Sequence, residues 1–203
     1  TTLLRAVMGL LPVTGGDIRL AGQSIARQPT WDLPAQGLTM IPEGRMVFKD
    51  MTVEENLAMG AFPGSRRPRL ESNMERVYGL FPRLKERRRQ MAGALSGGEA
   101  QMLAMGRGLM AEPRVLLIDE PTRGVDVGAK AEIYRLISEL AKLGLAIIMV
   151  SSELAEVLGV SDRVLVIGEG KLRGDFVNDN LSQETVLAAA INQPVPQASP
   201  RAV

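Results

Sequence analysis

Two short segments in the middle of the chain carry residues that could do chemistry. Residues Leu95–Gln101 read Leu-Ser-Gly-Gly-Glu-Ala-Gln, and Leu116–Thr122 read Leu-Leu-Ile-Asp-Glu-Pro-Thr. A Gly-rich turn that opens a helix offers backbone N–H groups and the positive end of the helix dipole to a phosphate. A buried strand that ends in two carboxylates can hold Mg²⁺ and a water molecule. The two segments in this order predict nucleotide hydrolysis.

The two carboxylates are expected to have different roles. Asp119 and Glu120 are neighbours on a strand, and successive strand side chains point in opposite directions. Asp119 can hold Mg²⁺ through water, whereas Glu120 can orient and deprotonate an attacking water. A polar strand end that caps the next turn is the alternative. The four apolar residues before the pair and Pro121-Thr122 after it favour a functional role.

The Ser-Gly-Gly turn has two compatible interpretations. Ser96 can cap the N-terminus of the helix that follows it. Gly97 and Gly98 carry no side chain, so a phosphate could approach their backbone closely. The turn alone is a weak signal, but its position before a strand that ends in Asp-Glu makes phosphate binding the favoured interpretation.

Composition limits the chemistry further. The 203 residues are long enough for one sizeable α/β core, and the net charge of +1 with 3% aromatic residues predicts no nucleic-acid partner. The chain has neither His nor Cys. Acid–base chemistry must therefore use carboxylates, and any metal should be a hard ion with oxygen ligands, such as Mg²⁺.

From residue 95 onwards the hydrophobic pattern alternates between helix and buried strand. It predicts helices over 97–111 and 128–143 and strands over 115–118 and 145–150. Strand 145–150 is continuously apolar, which is typical of a strand buried on both faces. This alternation predicts a parallel sheet that is covered by helices on both faces and binds its ligand at the carboxyl ends of the strands.

The first half of the chain is less regular. Its pattern predicts a helix over 1–12, a short buried strand over 37–42 and one basic helical stretch over 71–92. Thr52 with Glu55 predicts a capping box at the start of a helix. The composition of 193–203 predicts a disordered tail.

Several motifs taken together resemble the nucleotide-binding cassette of ATP-binding cassette (ABC) transporters over about residues 1–190. The matching segments are Thr1–Leu4 (the end of the phosphate-binding P-loop), Ile41–Arg45 (the Q-loop, with Glu43 where most members have Gln), Leu95–Glu99 (the signature motif), Val115–Glu120 (the Walker B strand) and Gly124–Asp126 (the D-loop). Ser152 aligns with the switch histidine of the family.

The resemblance implies an α/β fold with a P-loop NTPase-like parallel sheet core and a helical subdomain, the strand before the P-loop being missing from the sequence. The expected divisions are residues 1–51 as the N-terminal part of the ATPase core, 52–94 as the helical subdomain, 95–192 as the C-terminal part of the core and 193–203 as the disordered tail.

The resemblance also implies a set of site residues for the cofactors ATP and Mg²⁺. Catalysis is expected from Glu120 and Ser152, and metal binding from Thr1, Glu43 and Asp119. The residues expected to contact the nucleotide are Thr1, Thr2, Glu43, Ser96, Gly97, Gly98, Glu99 and Asp126. In the family, two cassettes pair head to tail, so Ser96 and Gly98 would touch the γ-phosphate held by the partner cassette.

The expected protein is the ATPase subunit of a bacterial importer on the cytoplasmic face of the inner membrane. Its expected partners are transmembrane permease subunits and a second cassette, identical or different. Residues 40–110 resemble the ATPases of branched-chain amino acid importers, and residues 119–191 resemble those of ribose, xylose and arabinose importers, so the solute stays open between the two.

Two other functions stay open. Because the sequence holds no P-loop lysine, the chain could be a catalytically dead fragment, or a partner module that lends its signature motif to another cassette. A soluble ABC-type ATPase of DNA repair or translation is the other alternative. The short 52–92 segment argues against it, because such proteins carry long insertions or paired cassettes.

Overall fold

The computed structural model describes residues 1–62 and 67–192. Its α-helices are α1 (Thr2–Val7), α2 (Val53–Gly60), α3 (Leu70–Leu80), α4 (Pro82–Glu86), α5 (Gly97–Leu109), α6 (Val127–Lys142), α7 (Leu154–Val160) and α8 (Gln183–Ala190). Its strands are β1 (Arg19–Leu20), β2 (Gln23–Ser24), β3 (Leu38–Ile41), β4 (Val115–Asp119), β5 (Ala146–Val150), β6 (Arg163–Gly168) and β7 (Lys171–Val177). The predicted disordered tail at 193–203 lies outside the described residues.

The chain divides into two compact units, Thr1–Val150 and the part that begins at Ser151. The first unit holds a parallel sheet in the order β3-β4-β5 and the small β1–β2 hairpin. The second unit holds the antiparallel β6–β7 hairpin with α7 and α8. The predicted division at 51/52 and 94/95 stays a prediction.

The central strand β4 separates two hydrophobic cores in the first unit. Leu116 and Ile118 pack into one core, to which α5 and α6 contribute, and Leu117 packs into the other with Leu4 and Leu33. All three strand residues are fully buried. The apolar run before Asp119 predicted a buried strand, and the structure shows that both faces of β4 are covered. The parallel α/β sheet expected from the sequence is confirmed.

The prediction that 145–150 is buried on both faces is wrong. In the described residues β5 pairs only with β4, and Ile148 is 48% exposed. Ile147 and Met149 do pack against the core that contains Leu116 and Ile118. A run of apolar residues reports strand tendency, but burial depends on what the rest of the fold places against each face.

Two predicted helices are shorter than expected. The helix predicted over 1–12 ends at Val7, because Gly9 adopts a left-handed backbone with φ of 67°. The stretch predicted over 71–92 is two helices, α3 and α4. They separate at Phe81, and Pro82 occupies the first turn of α4, where its missing N–H costs nothing.

The predicted capping box at the start of α2 is confirmed. The Glu55 N–H donates to Thr52 Oγ1 at 3.2 Å, and the Thr52 N–H donates to the Glu55 carboxylate at 2.7 Å. The fully buried side chain of Asn56 then fixes the preceding loop. Its amide donates to the Phe48 and Thr52 carbonyls, each at 2.9 Å, and its oxygen accepts from the Phe48 N–H at 2.9 Å.

No helix in the described part of the chain is both long enough and apolar enough to span a bilayer.

Candidate nucleotide site

The carboxyl end of β4 brings two predicted ligands together. Asp119, the last residue of the strand, is 1% exposed. The hydroxyl of Thr1 donates to Asp119 Oδ1 at 3.0 Å. Residues 118 positions apart thus place a hydroxyl and a carboxylate at the strand end where ligands of parallel sheets bind.

These two oxygens fit a magnesium ion. Mg²⁺ is usually held by one or two carboxylates, with water and substrate phosphates completing its ligands. In residues 1–62 and 67–192, no group of three or more His, Cys, Asp or Glu side chains could hold a metal without such help. Nearby in sequence, Thr122 is 1% exposed and its hydroxyl has no hydrogen-bond partner among the described residues. The oxygens of Thr1 and Asp119 therefore suit a metal ion whose other ligands are water and a bound phosphate.

Glu120 occupies a strained position just after the strand. Its φ is 50°, in the left-handed region that non-glycine residues rarely adopt. Its N–H donates to the Val150 carbonyl at 2.8 Å, which extends the β4–β5 ladder by one residue. Such strain costs on the order of 1–3 kcal/mol, and it persists only where neighbouring contacts enforce it. The backbone there turns away from the strand direction directly after Asp119.

The Ser96 turn is a complete capping box. The Glu99 N–H donates to Ser96 Oγ at 3.3 Å, and the Ser96 N–H donates to Glu99 Oε2 at 2.9 Å. Glu99, 7% exposed, also pairs with Arg87 at 3.0 Å. The first turn of any α-helix leaves N–H groups without partners in the helix. The turn is therefore rigid and can still present donors to an anion.

Packing leaves no room for a side chain at Gly98 and little room at Gly97. A Cβ on Gly98 would lie 2.5 Å from the Cβ of Ala129, and a Cβ on Gly97 would lie 3.1 Å from the Gly124 carbonyl oxygen. The start of α5 thus sits directly against the segment that leads into α6. The sequence predicts that a phosphate approaches these glycines, and the structure adds packing as a second reason for glycine here.

Asp126 begins α6 as its N-cap, and its Oδ1 accepts the Ala129 N–H at 2.9 Å. Glu43 forms an ion pair with Arg123, so its carboxylate faces the segment before Asp126. Thr2 is the exposed first residue of α1. Ser152 belongs to the second unit, where it precedes α7.

The profile of the ABC transporter family matches residues 1–123. The chain belongs to the ABC transporter family. It is 45% identical over 201 residues to the xylose import ATP-binding protein XylG of Burkholderia ambifaria, covering 94% of this chain and 39% of that protein. It is 46% identical over 207 residues to XylG of Pseudomonas syringae pv. tomato, covering 96% and 39%. The chain spans about two fifths of the length of these curated relatives.

Solved structures agree with the fold of this ABC family member. A nucleotide-free ATP-binding cassette from an ABC transporter superposes with a TM-score of 0.78 at 23% identity, covering 95% of this chain and 79% of that one. The ADP conformation of another ATP-binding cassette of an ABC transporter gives 0.78 at 25% identity, covering 95% and 83%. The cassette fold expected from the motifs is confirmed.

Two arginines near the predicted site residues make contacts that the sequence did not predict. Arg45 donates to the Gly124 carbonyl at 2.8 Å, and Arg107 donates to the Met46 carbonyl at 2.8 Å. The sequence places Arg45 in the Q-loop segment and Arg107 in the pattern that follows the signature motif, but it predicts neither of these contacts. Both contacts join residues more than 60 positions apart, so no local pattern could have revealed them.

A cavity of about 530 Å³ lies elsewhere in the cassette. It is lined by residues of α3, α5 and α6 and of the loops that follow α5 and α6, among them Arg76, Leu109 and Leu140. None of the predicted site residues lines it. This cavity is therefore separate from the site at Asp119.

The capping carboxylate Glu99 should make stability depend on pH. Its pKa is lowered mainly by the Ser96 N–H and further by Arg87. A carboxylate with a lowered folded-state pKa stabilises the fold above its ordinary pKa, and this contribution disappears as the pH falls through the lowered value. Glu99→Gln keeps the size of the cap and removes the charge. We expect it to cost about 1 kcal/mol of unfolding free energy at pH 7 and less in acid below the lowered pKa.

Urea unfolding at pH 7 and at several lower pH values measures this difference. Glu86→Gln, which changes an exposed carboxylate at the end of α4, is the control and should match the parent at every pH. An equal loss for Glu99→Gln at neutral and acid pH would show that the charge of Glu99 is not what stabilises the turn.

Proposed function

We propose that this chain is the ATP-binding and ATP-hydrolysing cassette of a bacterial sugar importer. The observation that carries the proposal is the hydrogen bond from Thr1 to Asp119 at the carboxyl end of β4, in a chain of the ABC transporter family. This contact supports the proposal because a hydroxyl and a buried carboxylate are the groups that the family resemblance expects near Mg²⁺ and the phosphates of ATP.

In this proposal Thr1, Glu43 and Asp119 hold Mg²⁺, which when bound draws negative charge from the ATP phosphates. Glu120 orients the attacking water and accepts its proton. Ser152, the other residue predicted to act in catalysis, lies in the second unit and its role stays a prediction.

The remaining predicted ligands, Thr2, Gly97, Glu99 and Asp126, are proposed to contact nucleotide, and Ser96 and Gly98 are proposed to contact the γ-phosphate held by the paired cassette. The capping box at Ser96 holds the first turn of α5 ready, so little reorganisation is needed when a phosphate binds.

The solute is proposed to be a sugar. The relatives described above are named for xylose import, which favours a sugar over the branched-chain amino acids that residues 40–110 suggested. Transmembrane permease subunits and a second cassette are the proposed partners, at the cytoplasmic face of the inner membrane. Solute-stimulated ATP turnover in the assembled importer tests this: stimulation by xylose supports the proposal, and stimulation by leucine or valine alone contradicts it.

Asp119→Asn tests the metal site in the intact protein. The variant keeps the size of the side chain and removes the negative charge, so we expect the Mg²⁺-dependent part of ATP affinity to fall by about tenfold, which corresponds to one charge-assisted contact. Calorimetric titration with ATP, with and without Mg²⁺, measures the change.

Asp32→Asn is the matched control for that titration, because Asp32 is an exposed carboxylate in the 3₁₀ turn Thr30–Asp32. Equal Mg²⁺ dependence in the two variants would contradict the assignment of Asp119. A parent protein that binds no Mg-ATP but restores turnover to an intact cassette would support the partner-module alternative instead.

A further inference from the structure

The side chains of two arginines, Arg45 and Arg123, join the segment 43–46 to the segment 123–124. Arg45 Nη2 donates to the Gly124 carbonyl at 2.8 Å and to the Arg123 carbonyl at 3.2 Å. In the other direction, the side chain of Arg123 pairs with Glu43. The side chain of each segment thus reaches the other, although they lie about eighty residues apart in sequence.

Arg107, a residue of α5, also binds the segment 43–46. Arg107 Nη2 donates to the Met46 carbonyl at 2.8 Å and to the Arg45 carbonyl at 3.3 Å, and its guanidinium lies 5.1 Å from the ring centroid of Phe48. Burial lowers the pKa of Arg107. These carbonyls and the ring therefore replace water around a partly buried cation, which fixes the backbone that supplies them.

The backbone of this segment is strained. Gly44, Arg45 and Met46 have φ values of 80°, 67° and 45°, so three consecutive residues are left-handed. Non-glycine residues pay about 1–3 kcal/mol each for such conformations, which persist only where contacts over-determine them. The hydrogen bonds of Arg45 and Arg107 are the contacts that hold this segment in its strained conformation.

Arg45 also reaches the Ser96 turn. A Cβ built on Gly97 would lie 3.4 Å from Arg45 Nη2 and 3.1 Å from the Gly124 carbonyl oxygen. The guanidinium of Arg45 therefore lies where three segments meet. Each segment holds a proposed nucleotide ligand, namely Glu43, Gly97 and Asp126.

We propose that Arg45 is a positioning residue that fixes the segment 123–126 and the Ser96 turn against the segment 43–46. The proposal rests on the proposed function. Both Nη2 contacts are to main-chain carbonyls, so Arg45 acts through the backbone of the segment that leads into Asp126. A side chain at position 97 would crowd the guanidinium of Arg45, which explains the glycine there. Loss of Arg45 should loosen the geometry of the site while leaving most nucleotide contacts in place.

The test compares Arg45→Ala and Arg45→Lys with Arg135→Ala in the intact protein. Arg135 is exposed on α6, and its ion pair is with Glu139 one turn away. For Arg45→Ala we expect kcat for Mg-ATP hydrolysis to fall by about 10-fold to 100-fold with KM within about twofold of the parent, since misplaced reacting groups slow the reaction more than they weaken binding. The kcat of Arg45→Lys should lie between those of the parent and Arg45→Ala. Lysine keeps the charge, but its ammonium lacks the planar set of donors with which a guanidinium can serve two carbonyls.

Two further readouts separate positioning from a general loss of stability. Hydrogen exchange of the amides of residues 123–129, measured without nucleotide, should speed up by about fivefold or more in Arg45→Ala and not in Arg135→Ala. Added guanidinium ion should restore part of the kcat of Arg45→Ala and none in Arg135→Ala. If Arg45→Ala does not fold, Arg45→Lys carries the same exchange and kinetic comparison.

The proposal is overturned if exchange at 123–129 and kcat both match those of Arg135→Ala. It is also overturned if KM rises and kcat is unchanged, because Arg45 would then contact the nucleotide itself. A parent protein with no Mg-ATP turnover would count against the proposed function, and the exchange comparison would still decide whether Arg45 positions the segment.

Discussion

Replacing Glu120 by Gln is expected to slow Mg-ATP hydrolysis by about 10²-fold to 10⁴-fold and to leave ATP binding nearly unchanged. Gln has the size and the hydrogen-bonding oxygen of Glu, but it cannot accept a proton from water. Glu120 follows the buried Asp119 at the end of β4, and its left-handed backbone is tied to Val150. The substitution should preserve this backbone, since the tie uses only the main chain.

Phosphate release in the steady state gives the rate for this variant, and calorimetry with Mg-ATP gives its affinity. Glu139→Gln, at an exposed carboxylate on α6, is the control and should keep the parent rate. A rate for Glu120→Gln within about threefold of the parent would rule out Glu120 as the base, because a general base contributes far more than that. A loss of affinity that matched the loss of rate would make it a binding residue instead.

Gly60→Ala should cause the largest loss of stability among single-methyl additions to the helices. Gly60 ends α2 where this helix meets α5. A Cβ there would lie 2.0 Å from the carbonyl oxygen of Arg107 and 2.8 Å from the Cβ of Met110. Neither neighbour is the mobile tip of a side chain, so the helices must separate. We expect a loss of about 3 kcal/mol, at the upper end for overpacking, and a Tm lower by roughly 10 °C.

Gly79→Ala is the matched control for this prediction. Gly79 also lies in a helix, α3, but a Cβ there would meet nothing within 4 Å. Alanine should therefore stabilise the protein by about 0.5–1 kcal/mol, because the unfolded chain has less backbone entropy to lose at alanine than at glycine. Thermal unfolding of the two variants measures the difference, and equal Tm values would show that α2 and α5 can part without cost.

Local features of the fold could be predicted because their causes are local. Thr52 and Ser96 cap their helices through residues three positions away, so a short sequence pattern contains both partners. The strand β4 could be recognised because the apolar run before Asp119 is buried on both faces. The break at Phe81-Pro82 also has a local signal in the proline, which the prediction of one continuous helix over 71–92 overlooked.

The candidate site could be predicted only in part. The motif order gave Asp119, Glu120 and the Ser96 turn, and the family resemblance gave Thr1 as a partner in metal binding. The structure places Thr1 against Asp119. The roles of these residues toward ATP and Mg²⁺ stay predictions that the variants above test. The exposure of Ile148 could not be foreseen, because it depends on what lies beside β5.

The sequence by itself determined the central strand, the helix caps, the parallel α/β class and the position of the paired carboxylates. Each of these follows from the period of apolar residues or from residues within one turn of each other. Only the tertiary structure decided that Arg45 and Arg107 form the hydrogen bonds that hold the strained segment 43–46. It also decided that Ala129 packs where a side chain at Gly98 would lie. Such contacts join residues far apart in the chain, and their geometry exists only after the helices have packed on the sheet.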